Sequence, residues 1–339
     1  MRLGVLDVGS NTVHLLVVDA HRGAHPTPMT STKAELRLAE HIDDSGALTP
    51  AGAQALVAAV SQAITAAEEA RCEELLAFAT SAIREATNCG EVLALVRAET
   101  GIDLRVLPGE EEASYTFLAA RRWYGWSAGR LLVIDVGGGS LELAIGRDEL
   151  PLVALSLPLG AGRLTRERFT SDPPSRDEVE SLATELEATL QPVAQQIRQA
   201  GDPDLVVGTS KTIRSLARLT GVEEPGAGRR SARSITEPAL RHLVAFISRM
   251  SSADLAELDG VSASRAHQLV AGALVVRAVM RALNLTRLEI CPWALREGVI
   301  LRRIDLLDQV EPTARDDRSA QEAPITLGPL MSYEARCSR

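Results

Sequence analysis

The chain has 339 residues, enough for two domains that each bury a core, and its hydrophobic content of 45% is ordinary for globular proteins. Its 45 acidic against 36 basic residues give a net charge of −9, which argues against a nucleic-acid binder basic over its whole surface and leaves any anionic ligand to find a local patch. No apolar run approaches the roughly 18–20 residues of a membrane span, and the N-terminus opens on a strand instead of a basic, apolar export signal. Cys72, Cys89, Cys291 and Cys337 show no CxxC spacing, so a cytoplasmic protein with free thiols, no zinc site and no membrane partner is expected.

In chain order, a strand at residues 3–6 runs into Asp7-Val8-Gly9-Ser10-Asn11-Thr12 and then a second apolar run at 15–18. This reads as an antiparallel hairpin whose turn carries an acid, a glycine and hydroxyl or amide side chains. Thr49 and Pro50 supply an N-cap and a proline at the first helical position, opening an alanine-rich helix to about Ala70. A strand at 75–80 leads to Ser81, read as the cap of a short helix bearing Arg84 and Asn88; such an N-terminus would offer N–H groups and partial positive charge to a phosphate. A helix at 90–100 and a strand at 104–107 precede Glu110-Glu111-Glu112, acids that suit the positive end of a further helix.

The most informative stretch follows. An apolar strand at 132–134 delivers Asp135 into a turn of three glycines, Gly137, Gly138 and Gly139, continued by Ser140 and Glu142. Without Cβ atoms the glycines let backbone N–H groups close on anionic oxygens, while Asp135 and Glu142 supply hard oxygens for a divalent cation. This is the second Asp-Val-Gly turn of the chain. Neither turn matches the Gly-x-x-x-x-Gly-Lys phosphate loop, and neither opens a helix as a dinucleotide fingerprint does. Beyond it come a strand at 152–157, a glycine turn at 159–163 entering a helix, and a long helix from Pro174 and Ser175 to about Ala200. A strand at 205–207 feeds Gly208-Thr209-Ser210-Lys211-Thr212 and another helix. A helical body then runs from Glu237 to about Leu283 with a capped start at 262–265, before a strand at 288–290 and a last helix to about Leu307. The candidate anion patch comprises Arg84, Arg163, Arg166, Arg168, Lys211, Arg214 and the loop at 229–233, and from Glu311 the chain turns polar, as a disordered tail does.

Duplicated hairpin turns of this kind resemble the phosphate clamps of the acetate kinase, sugar kinase, Hsp70 and actin superfamily. Several segments narrow the resemblance to the exopolyphosphatase and guanosine pentaphosphate phosphohydrolase (Ppx/GppA) family: residues 7–12, residues 79–88, Pro108-Gly109-Glu110-Glu111-Glu112-Ala113, residues 135–142, Leu157-Pro158-Leu159-Gly160-Ala161-Gly162-Arg163-Leu164 and Leu295-Arg296-Glu297-Gly298. They occur in family order over residues 1–305.

The resemblance implies an α/β, two-lobed, ribonuclease H-like fold with lobes at 1–125 and 126–307, the last helix packing back toward the first lobe, and a cleft in which two clamps grip one polyphosphate group. It implies Mg2+ or Mn2+ held by Asp7 and Asp135, phosphate oxygens bound by Ser10, Asn11, Gly137, Gly138, Gly139, Ser140 and Arg84, and Glu112 activating the attacking water with Glu142 assisting. Glu110 and Glu111 read as cap and surface acids. Arg296 and Glu297 are expected near the hinge, as a structural ion pair or a substrate contact. Lys211 departs from the glycine pair that relatives place there and favours a second phosphate contact over a purine pocket.

The implied activity is release of terminal orthophosphate from inorganic polyphosphate, with guanosine pentaphosphate as the alternative substrate, guanosine tetraphosphate as a possible ligand, and no nucleic acid as partner. Larger members carry further helical domains that hold long polymers, so short chains are the expected substrate. A non-catalytic sensor of polyphosphate or alarmone is disfavoured by the intact Glu112, Asp135 and Glu142, and a sugar or acid kinase by the water-positioning glutamate. A homodimer through the apolar helices of the second half is compatible with the sequence, as is their burial in a core.

Overall fold

The computed structural model describes residues 1–21, 26–220 and 234–310. The basic loop at 229–233, Cys337 and the tail from Glu311 lie outside the described residues. The chain divides into two compact units, Met1–Pro108 together with the last helix from Arg296, and Gly109–Leu295.

The first unit opens with β1 (Arg2–Val8), β2 (Thr12–Asp19) and β3 (Thr27–Glu35), followed by α1 (Pro50–Glu69), β4 (Glu74–Ala79), the single turn α2 (Ser81–Arg84), α3 (Cys89–Thr100) and β5 (Arg105–Val106). Among the described residues its strands form one sheet in the order β3-β2-β1-β4-β5, with β1 antiparallel to β2 and parallel to β4. Nearly every residue of β1, β2 and β4 is buried, because these inner strands are apolar and α1 and α3 pack in the same core. The sequence places α1 well: Thr49 Oγ1 accepts from Gly52 N at 3.2 Å ahead of Pro50 at the first position. It gives no sign of β3, whose side chains are nearly all exposed and which joins the sheet by antiparallel pairing with β2.

The second unit runs α4 (Gly109–Tyr124), β6 (Leu131–Val136), β7 (Leu141–Gly146), β8 (Val153–Leu157), α5 (Ala161–Arg168), α6 (Arg176–Gln199), β9 (Leu205–Gly208), α7 (Lys211–Thr220), β10 (Ser234–Thr236), α8 (Glu237–Ile247), α9 (Ser252–Ala256), α10 (Ala263–Ala266), α11 (Leu269–Ala282) and β11 (Arg287–Ile290). Its sheet, β10-β11-β9-β6-β7-β8, repeats the plan of the first: an antiparallel meander of three strands whose first member also pairs in parallel with a later strand. The duplicated layout is that of a two-lobed, ribonuclease H-like α/β fold. α12 (Leu295–Val310) returns to the first unit, where Arg303 Nε lies 2.8 Å and 3.0 Å from the two carboxylate oxygens of Glu74.

One expectation needs correction. The boundary falls after Pro108, not after residue 125, because the apolar face of α4 has its partner downstream: Ala113, Phe117 and Ala120 pack with Leu131, Val133, Ala144 and Val207. Arg121, fully buried on the same helix, donates to the carbonyls of Gly125, Gly129 and Gly146 at 3.1, 2.8 and 3.0 Å. Glu112 therefore belongs with Asp135, in the second unit. The helical body at 237–283 comprises α8 to α11: a capping box of Ser251 and Asp254 restarts the chain at α9, and Gly260 (φ +88°) turns it in a conformation L side chains rarely adopt. α11 spends its apolar residues in the core of its own unit, packed by α5, α6, α7 and α8. Cys72, Cys89 and Cys291 are buried thiols with no disulfide among the described residues. No described helix is long and apolar enough to cross a membrane.

Candidate active site

The two Asp-Val-Gly turns have the same construction. In the first, Asp7 faces His14 across the β1–β2 ladder and Gly9 N–H closes the turn on Thr12 O at 3.0 Å. In the second, Asp135 faces Glu142 across β6–β7 and Gly137 N–H closes on Ser140 O at 2.9 Å. The carbonyls between are tied down: Ser10 O accepts from Ala39 N and Asn11 O from Leu36 N and Arg37 N, while Gly137, Gly138 and Gly139 O accept from Ala161, Arg163 and Gly160 N. The N–H groups of Ser10 and Asn11, and of Gly138 and Gly139, donate to no acceptor among the described residues. Carbonyls drawn to one side and unpaired donors left on the other make a concavity suited to an anion.

The glycine turn at 159–163 is the buttress of the second clamp. A Cβ on Gly160 would stand 2.2 Å from the Gly139 carbonyl carbon and 2.4 Å from Ser140 N, so only glycine lets the start of α5 dock against the loop.

Beside this loop the second unit gathers carboxylates. Glu142 is buried, and its pKa is raised well above the ordinary carboxyl value first by burial, then by the negative charges of Glu112 and Asp135; hydrogen bonds from Ser140 and Ser156 oppose the rise. Ser156 Oγ donates to Glu142 Oε1 at 2.9 Å. Asp135 Oδ2 accepts from the hydroxyl of Thr209, whose own carbonyl accepts from the Arg214 guanidinium. Lys211 opens α7 two residues later, exposed. Sequence reasoning weighted Lys211 in this segment and missed Thr209; the available signal was a hydroxyl placed directly after the strand end, where the backbone leaves the sheet.

The folded state binds the Glu142 proton more tightly than the unfolded chain, so its contribution to stability is complete below the ordinary value of 4.5 and is lost as pH rises through the raised folded value. Glu142→Gln is therefore expected to match the parent at pH 4 and to exceed its stability at neutral pH by about 0.5–2 kcal/mol, as removal of a strained functional group does. Thermal melts of both proteins from pH 4 to 8 test this; a variant less stable at neutral pH would contradict it.

In the first unit, Asp7 Oδ2 accepts from Arg296 Nη1 at 3.0 Å, an ion pair of the last helix with the end of β1 instead of one bridging neighbouring helices. Ser10 and Asn11 are buried, and Ser10 Oγ lies 3.0 Å from Ser81 Oγ. Ser81 is thus a partner of the clamp and not the helix cap expected: the N-cap position is Thr80, and α2 is a single turn. Arg84 donates to Leu107 O at 2.9 Å, which ties it to the end of β5. Asn88 exchanges two 2.9 Å bonds with the Leu48 backbone and acts as a brace. His14 is buried 2.6 Å from Ser31 Oγ; burial, reinforced by the charges of Arg296 and Lys33, drives its pKa down to about 3 and keeps it neutral.

The donor chemistry fits a hard divalent cation. Among the described residues no three His, Cys, Asp or Glu side chains form a metal cage. Asp7 and Asp135 each present a carboxylate at a turn with unpaired N–H groups, and Mg2+ is ordinarily held by one or two carboxylates, water and substrate phosphate oxygens instead of an all-protein cage.

Residues 17–307 match the profile of the Ppx/GppA phosphatase family. The chain is 61% identical over 305 residues to exopolyphosphatase 1 of Mycobacterium tuberculosis (strain H37Rv), covering 90% of this chain and 89% of that protein. It is 27% identical over 319 residues to the guanosine-5'-triphosphate,3'-diphosphate pyrophosphatase of Vibrio cholerae (strain N16961), covering 93% of this chain and 62% of that protein. The crystal structure of the Aquifex aeolicus Ppx/GppA family member is similar at a TM-score of 0.75 and 26% identity, covering 92% of this chain and 99% of that one.

Proposed function

The chain belongs to the Ppx/GppA phosphatase family, and from that premise we propose that it is an exopolyphosphatase releasing terminal orthophosphate from inorganic polyphosphate. The observation that carries the choice of substrate is the 61% identity to a mycobacterial exopolyphosphatase, against 27% to a guanosine pentaphosphate pyrophosphatase. The buried thiols suit a reducing, cytoplasmic setting.

In this reading the N–H groups of Gly138 and Gly139 hold oxygens of the terminal phosphoryl group, joined by the Ser140 hydroxyl when it turns from Glu142 to the substrate, and the Asp7–Asn11 turn provides a second set of donors of the same design. Glu112 takes the proton of the attacking water, which enters in line with the departing phosphate oxygen. Glu142, protonated and held by Ser156, limits the negative charge beside the substrate. Thr209 fixes the Asp135 carboxylate. Asp7 and Asp135 are the residues that would hold Mg2+ or Mn2+, which when bound neutralises charge on the phosphoryl oxygens.

The deciding measurement is phosphate release from polyphosphate of graded length, guanosine pentaphosphate and ATP by the purified protein with Mg2+. A higher kcat/KM on polyphosphate supports the reading, and a higher one on guanosine pentaphosphate replaces it. Lys211→Ala is expected to weaken polyphosphate binding about threefold, the scale of one exposed charge contact, with less effect on guanosine pentaphosphate. Equal losses on both ligands would remove Lys211 from substrate choice.

A further inference from the structure

Gln268 precedes α11 and is only 2% exposed, yet neither its Oε1 nor its Nε2 has a hydrogen-bond partner among the described residues. A buried amide that satisfies neither its donor nor its acceptor is rare enough in a folded protein to require a reason. Its surroundings supply one. A Cβ built on Gly162 would stand 2.8 Å from Gln268 Oε1 and 3.2 Å from the Gly138 carbonyl oxygen, so the amide and that carbonyl border the same small space at Gly162.

The fold brings it there through small residues. One turn along the same face of α11, Gly272 admits Thr212 and Ala161: a Cβ would meet Thr212 Cγ2 at 2.5 Å and the Ala161 Cβ at 3.2 Å. The helix therefore closes on α5 and α7, and its first turn is pressed toward the clamp. Gly138 O already accepts from Arg163 N at 2.9 Å, and a carbonyl has a second lone pair. A half-turn about the last side-chain bond exchanges Oε1 for Nε2 and turns a donor to the space that the Gly138 carbonyl also borders.

We infer that Gln268 is a positioning residue of the phosphate clamp, its Nε2 donating to the Gly138 carbonyl from behind the loop and so fixing the direction of the Gly138 and Gly139 N–H groups when they hold phosphate. The inference rests on the reading of this loop as the phosphate site. Gln268 acts through the loop.

The test is Gln268→Met, which keeps the length of the side chain and removes both polar atoms, with Gln268→Leu as a second variant in case the first packs poorly. The expected result in either is a Kd for orthophosphate, by titration calorimetry, and a KM for polyphosphate each raised about five- to tenfold, the scale of one lost hydrogen bond, while Tm holds because the buried Oε1 that no donor meets is removed together with the Nε2 bond. A Kd within twofold of the parent overturns the inference. So does a fall in Tm with parallel loss of binding and kcat in both variants, which would make Gln268 a packing residue. Absence of phosphate release from polyphosphate by the parent would count against the exopolyphosphatase reading alone, since the orthophosphate titration reads the clamp directly.

Discussion

Glu112→Gln is expected to slow phosphate release about 10²- to 10⁴-fold while leaving polyphosphate affinity within about threefold of the parent. Glutamine keeps the shape of the side chain and loses only the ability to accept a proton from water. The neighbouring acid is the natural control. Glu111 Oε1 accepts from Tyr115 OH at 2.6 Å one turn along α4, so it is engaged on its own helix, and Glu111→Gln is expected to change the rate less than about threefold. Glu112 instead contributes to the electrostatic pressure on Glu142. Neutralising it removes one of the charges that hold the Glu142 proton, so its loss of rate should come without loss of Tm. A rate loss below tenfold, or a larger loss in the Glu111 variant, would transfer the role of base.

Arg303→Met is expected to destabilise the protein by about 3–5 kcal/mol, the cost of leaving a buried carboxylate without its cation. The Glu74 side chain is 5% exposed and that of Arg303 13%, and one guanidinium nitrogen spans both carboxylate oxygens. The pair joins β4 to the last helix, two elements of the first unit that enter it from opposite ends of the sequence. Replacing both partners, Arg303→Met with Glu74→Leu, should recover most of the loss, because two apolar groups need no solvation. Calorimetric melts of the three proteins decide it. A single variant as stable as the parent would mean that Glu74 reaches water by local rearrangement.

The hairpin turns were legible because everything that makes them is local. An apolar strand, an acid at its end, a glycine and a polar residue fix a turn closed by one bond over three residues, and the chain writes this twice, at Gly9 and at Gly137. The same holds for α1 and α6, whose caps, Thr49 and Ser175, lie within three residues of the amides they serve. Where the reading failed, the deciding partner was elsewhere. Ser81 has a good cap residue's chemistry, but its hydroxyl goes to Ser10, 71 residues away. The polar face of β3 looks like loop, because its place in the sheet comes from the backbone of β2.

The sequence by itself determined the duplicated hairpins, the α/β class and the family to which the chain belongs, since strand ends, glycines and caps act through hydrogen bonds between near neighbours. Tertiary structure alone decided that α4 and Glu112 belong to the second unit, that Thr209 anchors Asp135 across 74 residues, and that an amide from the start of α11 and the Gly138 carbonyl border the same space at Gly162. Packing makes those choices: an apolar face goes where complementary apolar surface is offered, and a buried polar atom where a partner is brought within reach, and neither condition is encoded in the spacing of adjacent residues.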